Sequence, residues 1–258
     1  FAGDAKRLGE FAAFDSNHLG LVRKDGCLDL YDGVLRCKSA DGKIILDKVE
    51  PKDYLEHFRE EVRPWSYMKF PFIKKLGPEK GWYRVGPLAR INVCDYIDSP
   101  LAEKERQEFM GLTNGKPNNS SLAYHWARLI EILHSAEKIQ ELLEDKDLQG
   151  SELVKDGKHR SEGIAIIEAP RGTLFHHYRI NDTDQIVMAN LIVSTTNNNE
   201  PMNRAVQWVA RNELEGKTIT EGLLNSVEVA IRAYDPCLSC ATHAVGQMPL
   251  IVRLEGPD

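Results

Sequence analysis

Cysteine is scarce in this chain, and so are excess positive charge and long apolar runs. Five cysteines in 258 residues, at 27, 37, 94, 237 and 240, are few and odd in number. That excludes the disulfide framework of a small secreted domain and points to a reducing, cytoplasmic setting. The formal net charge is -6 and the pI about 5.8. A mildly acidic chain has no electrostatic footprint for nucleic acid or an anionic lipid surface. No stretch approaches the roughly 18–20 apolar residues needed to span a bilayer, so no integral membrane segment is expected. Internal repeats and low-complexity tracts are lacking too. The first residues carry no signal-peptide pattern and no initiator Met; the chain opens at Phe1 as if in mid-sequence. The expectation is that an N-terminal portion precedes it.

What is present reads as one helix-heavy α+β domain over residues 1–258. Residues 27–49 alternate in short apolar steps broken by Asp-Gly at 32–33 and 41–42, the pattern of antiparallel hairpins. A short helix is expected over 51–60, and a loop rich in Pro, Gly and aromatics over 63–90. Longer helices are expected near 100–112 and from Asn and Ser caps at 118–121 to about 145. In the second, Leu122, Trp126, Leu129, Leu133, Ala136 and Ile139 form an apolar stripe. Strands are expected at 163–168, 173–180 and 185–195, and helices near 201–214 and 219–233. The exposed-looking apolar run FPFIKKLG, from residue 70, is a candidate contact for a partner subunit.

Few residues carry obvious chemistry. His125 and His134 lie nine apart on one helix and face opposite sides. His176 and His177 alternate across a strand. Three cysteines, 27, 37 and 94, are scattered and suit a core. In EAPRGTLFHHY, Arg171 stands between Pro170, which stiffens the approach, and Gly172, which permits a close turn. It is either aimed at an anion or an ordinary solvated turn residue. In DPCLSCATH, Asp235 is expected to cap a helix with Pro236 at its first position. Cys237 and Cys240 then share one face at i and i+3, near a helix start that favours thiolate. A zinc clip wants a second such pair. A thioredoxin-like dithiol wants a preceding strand, where a helix is expected. A pair of buried core cysteines would not call for the Asp-Pro start. A soft-metal site completed by other residues fits best, with the alternatives open.

At this point four segments resemble one family. VEVAIRAYDPCLSCATH resembles the C-terminal signature of nickel–iron hydrogenase large subunits. EAPRGTLFHHY, YRVGPLARIN and IVSTTNN resemble three further segments of that family, in the family's order. The wording LSCATH and NLIVSTTNNN is similar to the bidirectional NAD-reducing branch, of cyanobacterial type. The resemblance implies the helix-rich hydrogenase large-subunit fold with peripheral antiparallel hairpins. It implies reversible, heterolytic cleavage of hydrogen at a nickel–iron centre whose iron carries carbon monoxide and cyanide. Cys237 would be a terminal nickel thiolate and Cys240 a bridge between the metals. Arg171, with Pro170 beside it, would contact one cyanide, and Thr195, or its neighbour Ser194, the other. Asp235 would hold Arg171 near the cluster.

The same resemblance implies an iron–sulfur small subunit and diaphorase subunits carrying flavin and NAD. It also implies a maturation protease that cuts after His243, making Ala244–Asp258 a removable extension. A magnesium or iron ion would then lie near the mature C-terminus. One departure stands out. The family's first motif, R-x-C-G-x-C, is absent, because no C-x-x-C precedes Cys237. The 258 residues by themselves are therefore expected to be inactive. A metal-free structural relative of the complex I quinone-module subunit, and a zinc-binding module, are the competing expectations. Retention of both cysteines argues against the first, and the missing second pair against the second.

Overall fold

The computed structural model describes residues 9–218 and 220–238. A four-stranded sheet contains β1 (Asn17–Val22), β2 (Val34–Lys38), β3 (Ile44–Val49) and the short β6 (Tyr83–Arg84), in the order β3-β2-β1-β6. The β1-β2 and β2-β3 pairs are antiparallel and β6 runs parallel to β1. Gly42 makes the tight β2-β3 turn at φ +89, a conformation glycine adopts without a Cβ clash. The Asp-Gly at 32–33 instead leads into β2 from an irregular segment, and the strand before it is β1. Between these strands, the short helix expected over 51–60 is only α1 (Tyr54–His57), after a single 3-10 turn. Residues 58–60 belong to β4 (Phe58–Glu61), which pairs with β5 (Phe70–Ile73). Phe70, Pro71 and Ile73 are buried in that hairpin, while Lys74 and Lys75 of FPFIKKLG are exposed.

After α2 (Gly77–Lys80) and β6 comes α3 (Pro87–Val93), all seven residues of which are buried. Then α4 (Pro100–Gly111) packs on α5 (Ala123–Leu143). No side-chain cap opens α5; Asn118 Oδ1 accepts from the Ser120 amide and Ser121 Oγ donates to the Ala12 carbonyl instead. The start of α4 is satisfied from α5, whose Glu137 accepts from the amides of Leu101 and Ala102. The buried face of α5 is Tyr124, Ala127, Ile130 and His134, not the stripe expected from periodicity. Leu122, Trp126 and Leu133 only border the core, and Leu129 and Ile139 are 63% and 59% exposed.

β7 (Glu162–Ala169), β8 (Gly172–Ile180) and β9 (Ile186–Ile192) form an antiparallel sheet, close to expectation. One turn, α6 (Ser194–Asn197), follows where strand was expected to continue. Then come α7 (Asn199–Val209), a π-helical turn over Ala210–Leu214, and α8 (Glu221–Arg232). Thr220 caps α8 by accepting from the Leu223 amide at 3.3 Å.

The apolar interior has two parts. A helical part gathers Leu88, Ile91, Phe109, Tyr124, Ile130, Ala205 and Ala230. A sheet part gathers Leu19, Leu35, Tyr54, Phe58, Tyr83, Phe175 and Ile192. Cys37 lies in the second, Cys94 in the first, and Cys27 is buried as well. Burial pushes the Cys94 thiol up to about 12 and raises Cys27 and Cys37 too, so all three stay protonated and inert. Among the described residues, no helix is long and apolar enough to cross a membrane.

Candidate metal centre

The four sequence segments meet at the seam between the two parts of the core. At this seam two glycines let the chain segments pass close together. Gly86, at φ +94, leaves a space where a Cβ would stand 2.7 Å from the Arg171 carbonyl oxygen. Gly172, at φ +139, faces Val85 and the Gly86 nitrogen in the same way. Both positions need glycine for space and for dihedral angle. The Val85 amide donates to Asn198 Oδ1 at 2.9 Å and its carbonyl accepts from Tyr124 Oη at 2.8 Å. Tyr83 Oη donates to Asn197 Oδ1 at 2.7 Å, and Asn197 Nδ2 reaches the Thr173 carbonyl at 2.8 Å. Residues 83–86, 171–173 and 197–198 are thus one hydrogen-bonded unit.

The segment after α8 is moored to that unit. Arg84 is fully buried and lies over the rings of Phe14 and Tyr234, at 4.2 and 5.8 Å. Tyr234 also packs on Tyr124 at 4.8 Å, and Arg128 Nη2 donates to the Ala233 carbonyl at 3.1 Å. Asp235 then adopts φ +50, and its amide donates to the Arg232 carbonyl at 2.9 Å. This corrects the expected cap. A helix N-cap needs extended backbone, whereas Asp235 is the left-handed residue that ends α8, a role Asp tolerates. Helical backbone resumes only at Leu238, so Pro236 is not the first helical residue. Cys240 and His243 lie outside the described residues.

Arg171, Asp235, Thr195 and Cys237 are brought together here. Arg171 Nε donates to the Asp235 carbonyl at 2.6 Å and lies 3.4 Å from its carboxylate. Both side chains are about 40% exposed, at 40% and 39%, and Arg232 adds a second cation 3.8 Å from the same carboxylate. Among the described residues, the terminal nitrogens of Arg171 make no hydrogen bond and remain available as donors. Thr195 Oγ1 accepts from the Cys237 amide at 3.1 Å, which leaves its own proton for another acceptor. Ser194 Oγ donates to the Gly172 carbonyl at 2.7 Å, so its proton is committed to the turn. The Pro170 carbonyl already accepts from Arg90 Nη2 at 3.3 Å. A cavity of about 570 Å³ between α5 and α8 reaches Pro236 and Leu238, on either side of Cys237.

Two groups here escaped the sequence reading, Arg90 and Glu168. Arg90 is pinned between Glu131 and Glu168, with 2.6 and 2.8 Å contacts. Burial opposes its charge, but the two carboxylates outweigh burial and hold it above the ordinary arginine range. Burial raises the Glu168 carboxyl, against the pull of Arg90. Membership of the quoted segments YRVGPLARIN and EAPRG was the only signal for either. His134 and His177 fall outside the site, whereas His125 lines the cavity beside Pro236 and Leu238. His134 is buried against Ser99 Oγ, and His177 bridges Tyr54 and Glu162.

Comparison with known proteins gives the same grouping. A family model for nickel-dependent hydrogenase matches residues 37–243. The chain is 50% identical to the NAD-reducing hydrogenase HoxS subunit beta of Cupriavidus necator, over 95% of this chain and 51% of that protein. It is 41% identical to an F420-non-reducing hydrogenase vhc subunit of Methanococcus voltae, over 96% of this chain and 53% of that protein. It is similar to a crystal structure of an NAD+-reducing [NiFe]-hydrogenase in the H2-reduced state. There the TM-score is 0.90 and the identity 52%, covering 94% of this chain and 54% of the other. A Ni-Fe-Se hydrogenase from Desulfomicrobium baculatum shares the fold at 22% identity, with a TM-score of 0.64. The chain spans about half the length of the curated relatives it matches. With the family match covering most of its residues, the chain belongs to the nickel-dependent hydrogenase family.

Proposed function

We propose that this chain is the C-terminal part of the catalytic large subunit of an NAD-linked nickel–iron hydrogenase, which cleaves hydrogen reversibly into protons and electrons. The observation that carries the reading is the pairing of Arg171 with Asp235, two residues before Cys237, together with the Thr195 hydroxyl on the Cys237 amide. The donor chemistry fits one side of a nickel–iron centre. Cys237, which the structure holds in a disulfide, would offer a soft thiolate ligand once reduced. The terminal N–H groups of Arg171, which bond to none of the described residues, and the hydroxyl of Thr195 suit small anions such as iron-bound cyanide, which need donors when buried. Thr195 is the better choice than Ser194, because the Ser194 proton already serves Gly172. Among the described residues, no group of three or more His, Cys, Asp or Glu could hold a metal ion. Cys240 and thiolates beyond these 258 residues would complete the ligand set.

When bound, the metal pair supplies heterolytic cleavage of hydrogen. This chain's own residues orient and shield that centre. Asp235 fixes the Arg171 guanidinium at Nε and leaves the terminal donors for the site. Electrons would leave through an iron–sulfur small subunit to flavin- and NAD-bearing diaphorase subunits. Processing after His243, with a magnesium or iron ion near the new terminus, belongs to the same proposal. So does cytoplasmic placement.

Metal analysis tests the reading. The complete subunit, purified with its small subunit, is expected to hold one nickel and one iron. Cys237→Ser is expected to lose nickel, and the 258-residue chain alone to hold neither metal in stoichiometric amount. A complete, folded subunit free of both metals would leave the metal-free structural relative in its place.

A further inference from the structure

Arg90 has all five of its N–H donors engaged within one cluster. Nε and Nη2 meet the two oxygens of Glu131 at 2.6 and 2.7 Å. Nη1 meets Glu168 Oε2 at 2.8 Å and the Ala169 carbonyl at 2.8 Å. Nη2 also reaches the Pro170 carbonyl at 3.3 Å. The Arg90 side chain is 3% exposed and that of Glu168 fully buried. The other oxygen of Glu168 accepts from the Leu21 amide at 3.0 Å and from Thr173 Oγ1 at 2.8 Å.

A buried ion cluster is weak evidence for added stability, because desolvation offsets most of the attraction. Its geometry is more telling. The two carbonyls that Arg90 grips belong to the residues just before Arg171, and Thr173 lies two residues after it. The clamp therefore holds both sides of the turn that carries Arg171. The turn is also confined from the opposite side by Gly86 and Val85. A planar guanidinium can meet two carboxylates and two carbonyls at once; an ammonium has three donors and no fixed plane.

We propose that Arg90 is a positioning residue that fixes the Ala169–Pro170 peptides, so that the Arg171 guanidinium stands beside Asp235 and Cys237. Glu131 and Glu168 hold the Arg90 fork in register. The inference rests on the hydrogenase reading of Arg171 given above.

The test uses the complete large subunit purified with its small subunit, as Arg90→Lys, Glu131→Gln and Arg171→Lys. Metal content, the infrared bands of the diatomic iron ligands, and KM and kcat for hydrogen are measured on each. Arg90→Lys is expected to keep both metals and to move the cyanide bands in the same direction as Arg171→Lys. Its kcat is expected to fall by ~10²-fold, the scale of an ångström-sized misplacement, with KM little changed. Glu131→Gln is expected to move the bands the same way by less. Wild-type bands and kcat in Arg90→Lys, with only a lower melting temperature, would overturn the proposal. If Arg90→Lys does not fold, unmoved bands in Glu131→Gln overturn it. A metal-free wild type overturns the hydrogenase reading and the inference with it; a loaded wild type with unmoved variants overturns the inference alone.

Discussion

Adjacent hydroxyls are put to different uses by one turn of helix. Ser194 donates to the Gly172 carbonyl and holds the turn after Arg171. Thr195 accepts the Cys237 amide and keeps its proton. Thr195→Val keeps the shape of a side chain that is 2% exposed and removes that acceptor. In the complete subunit it is expected to move the cyanide bands or lower nickel content. Ser194→Ala is expected to cost about 1 kcal/mol, the value of one hydrogen bond, and to leave the bands in place. Thermal melts and infrared spectra of the two variants check this; the reverse pattern gives the role to Ser194. At this scale the sequence shows the neighbourhood but not the choice. Both hydroxyls lie in IVSTTNN, and only the turn after β9 separates them. Asp235 teaches the same lesson. Asp-Pro reads as the start of a helix, yet ending α8 takes the left-handed conformation at Asp235 first.

At the scale of elements, length was legible and orientation was not. The expected helix near 100–112 is Pro100–Gly111, and the one ending near 145 is Ala123–Leu143. The latter carries apolar residues on more than one face, so periodicity could not say which face is buried. Tyr124, Ala127 and Ile130 face the core, while Leu129, Ile132 and Ile139 stay exposed. Ile130→Ala is therefore expected to cost about 2–5 kcal/mol, the range for a buried aliphatic truncation. Its neighbour Leu129→Ala is expected to stay within about 0.5 kcal/mol. Urea unfolding of both variants checks the pair; equal losses would contradict the assigned face. Two of the missed elements, β1 and α3, share a cause. β1 is buried at five successive positions, and every residue of α3 is buried. Elements buried all round have no polar face, so neither period two nor period 3.6 marks them. They are also the elements that carry Arg90 and lie beneath the Arg171 turn. That is why the site's supports were harder to read than its motifs.

For the whole molecule, the seam between the two parts of the core links the site to overall stability, and His18 lies in that seam. It is fully buried, with Nε2 3.1 Å from Asn119 Oδ1 and 3.3 Å from Ser16 Oγ, and Nδ1 3.3 Å from Asn92 Nδ2. Burial first, and the Arg84 cation second, push its pKa down to about 3; the Asn119 bond pulls weakly the other way. The folded state thus holds His18 neutral where the unfolded chain, near the ordinary value of 6.5, would bind a proton. Proton uptake by the unfolded state then favours unfolding as acidity rises. His18's contribution is intact above pH 6.5 and is lost as pH falls from 6.5 toward 3, by up to about 1.4 kcal/mol per pH unit. His134, also lowered chiefly by burial, adds to the slope in the same direction. Urea midpoints measured at pH 7, 6 and 5 are expected to fall steadily. His18→Gln, which cannot titrate, is expected to start from lower stability and to show a shallower slope. Parallel lines for the variant and the parent would mean that His18 is charged in the fold, and that the Ser16–Asn119 network holds an imidazolium beside Arg84.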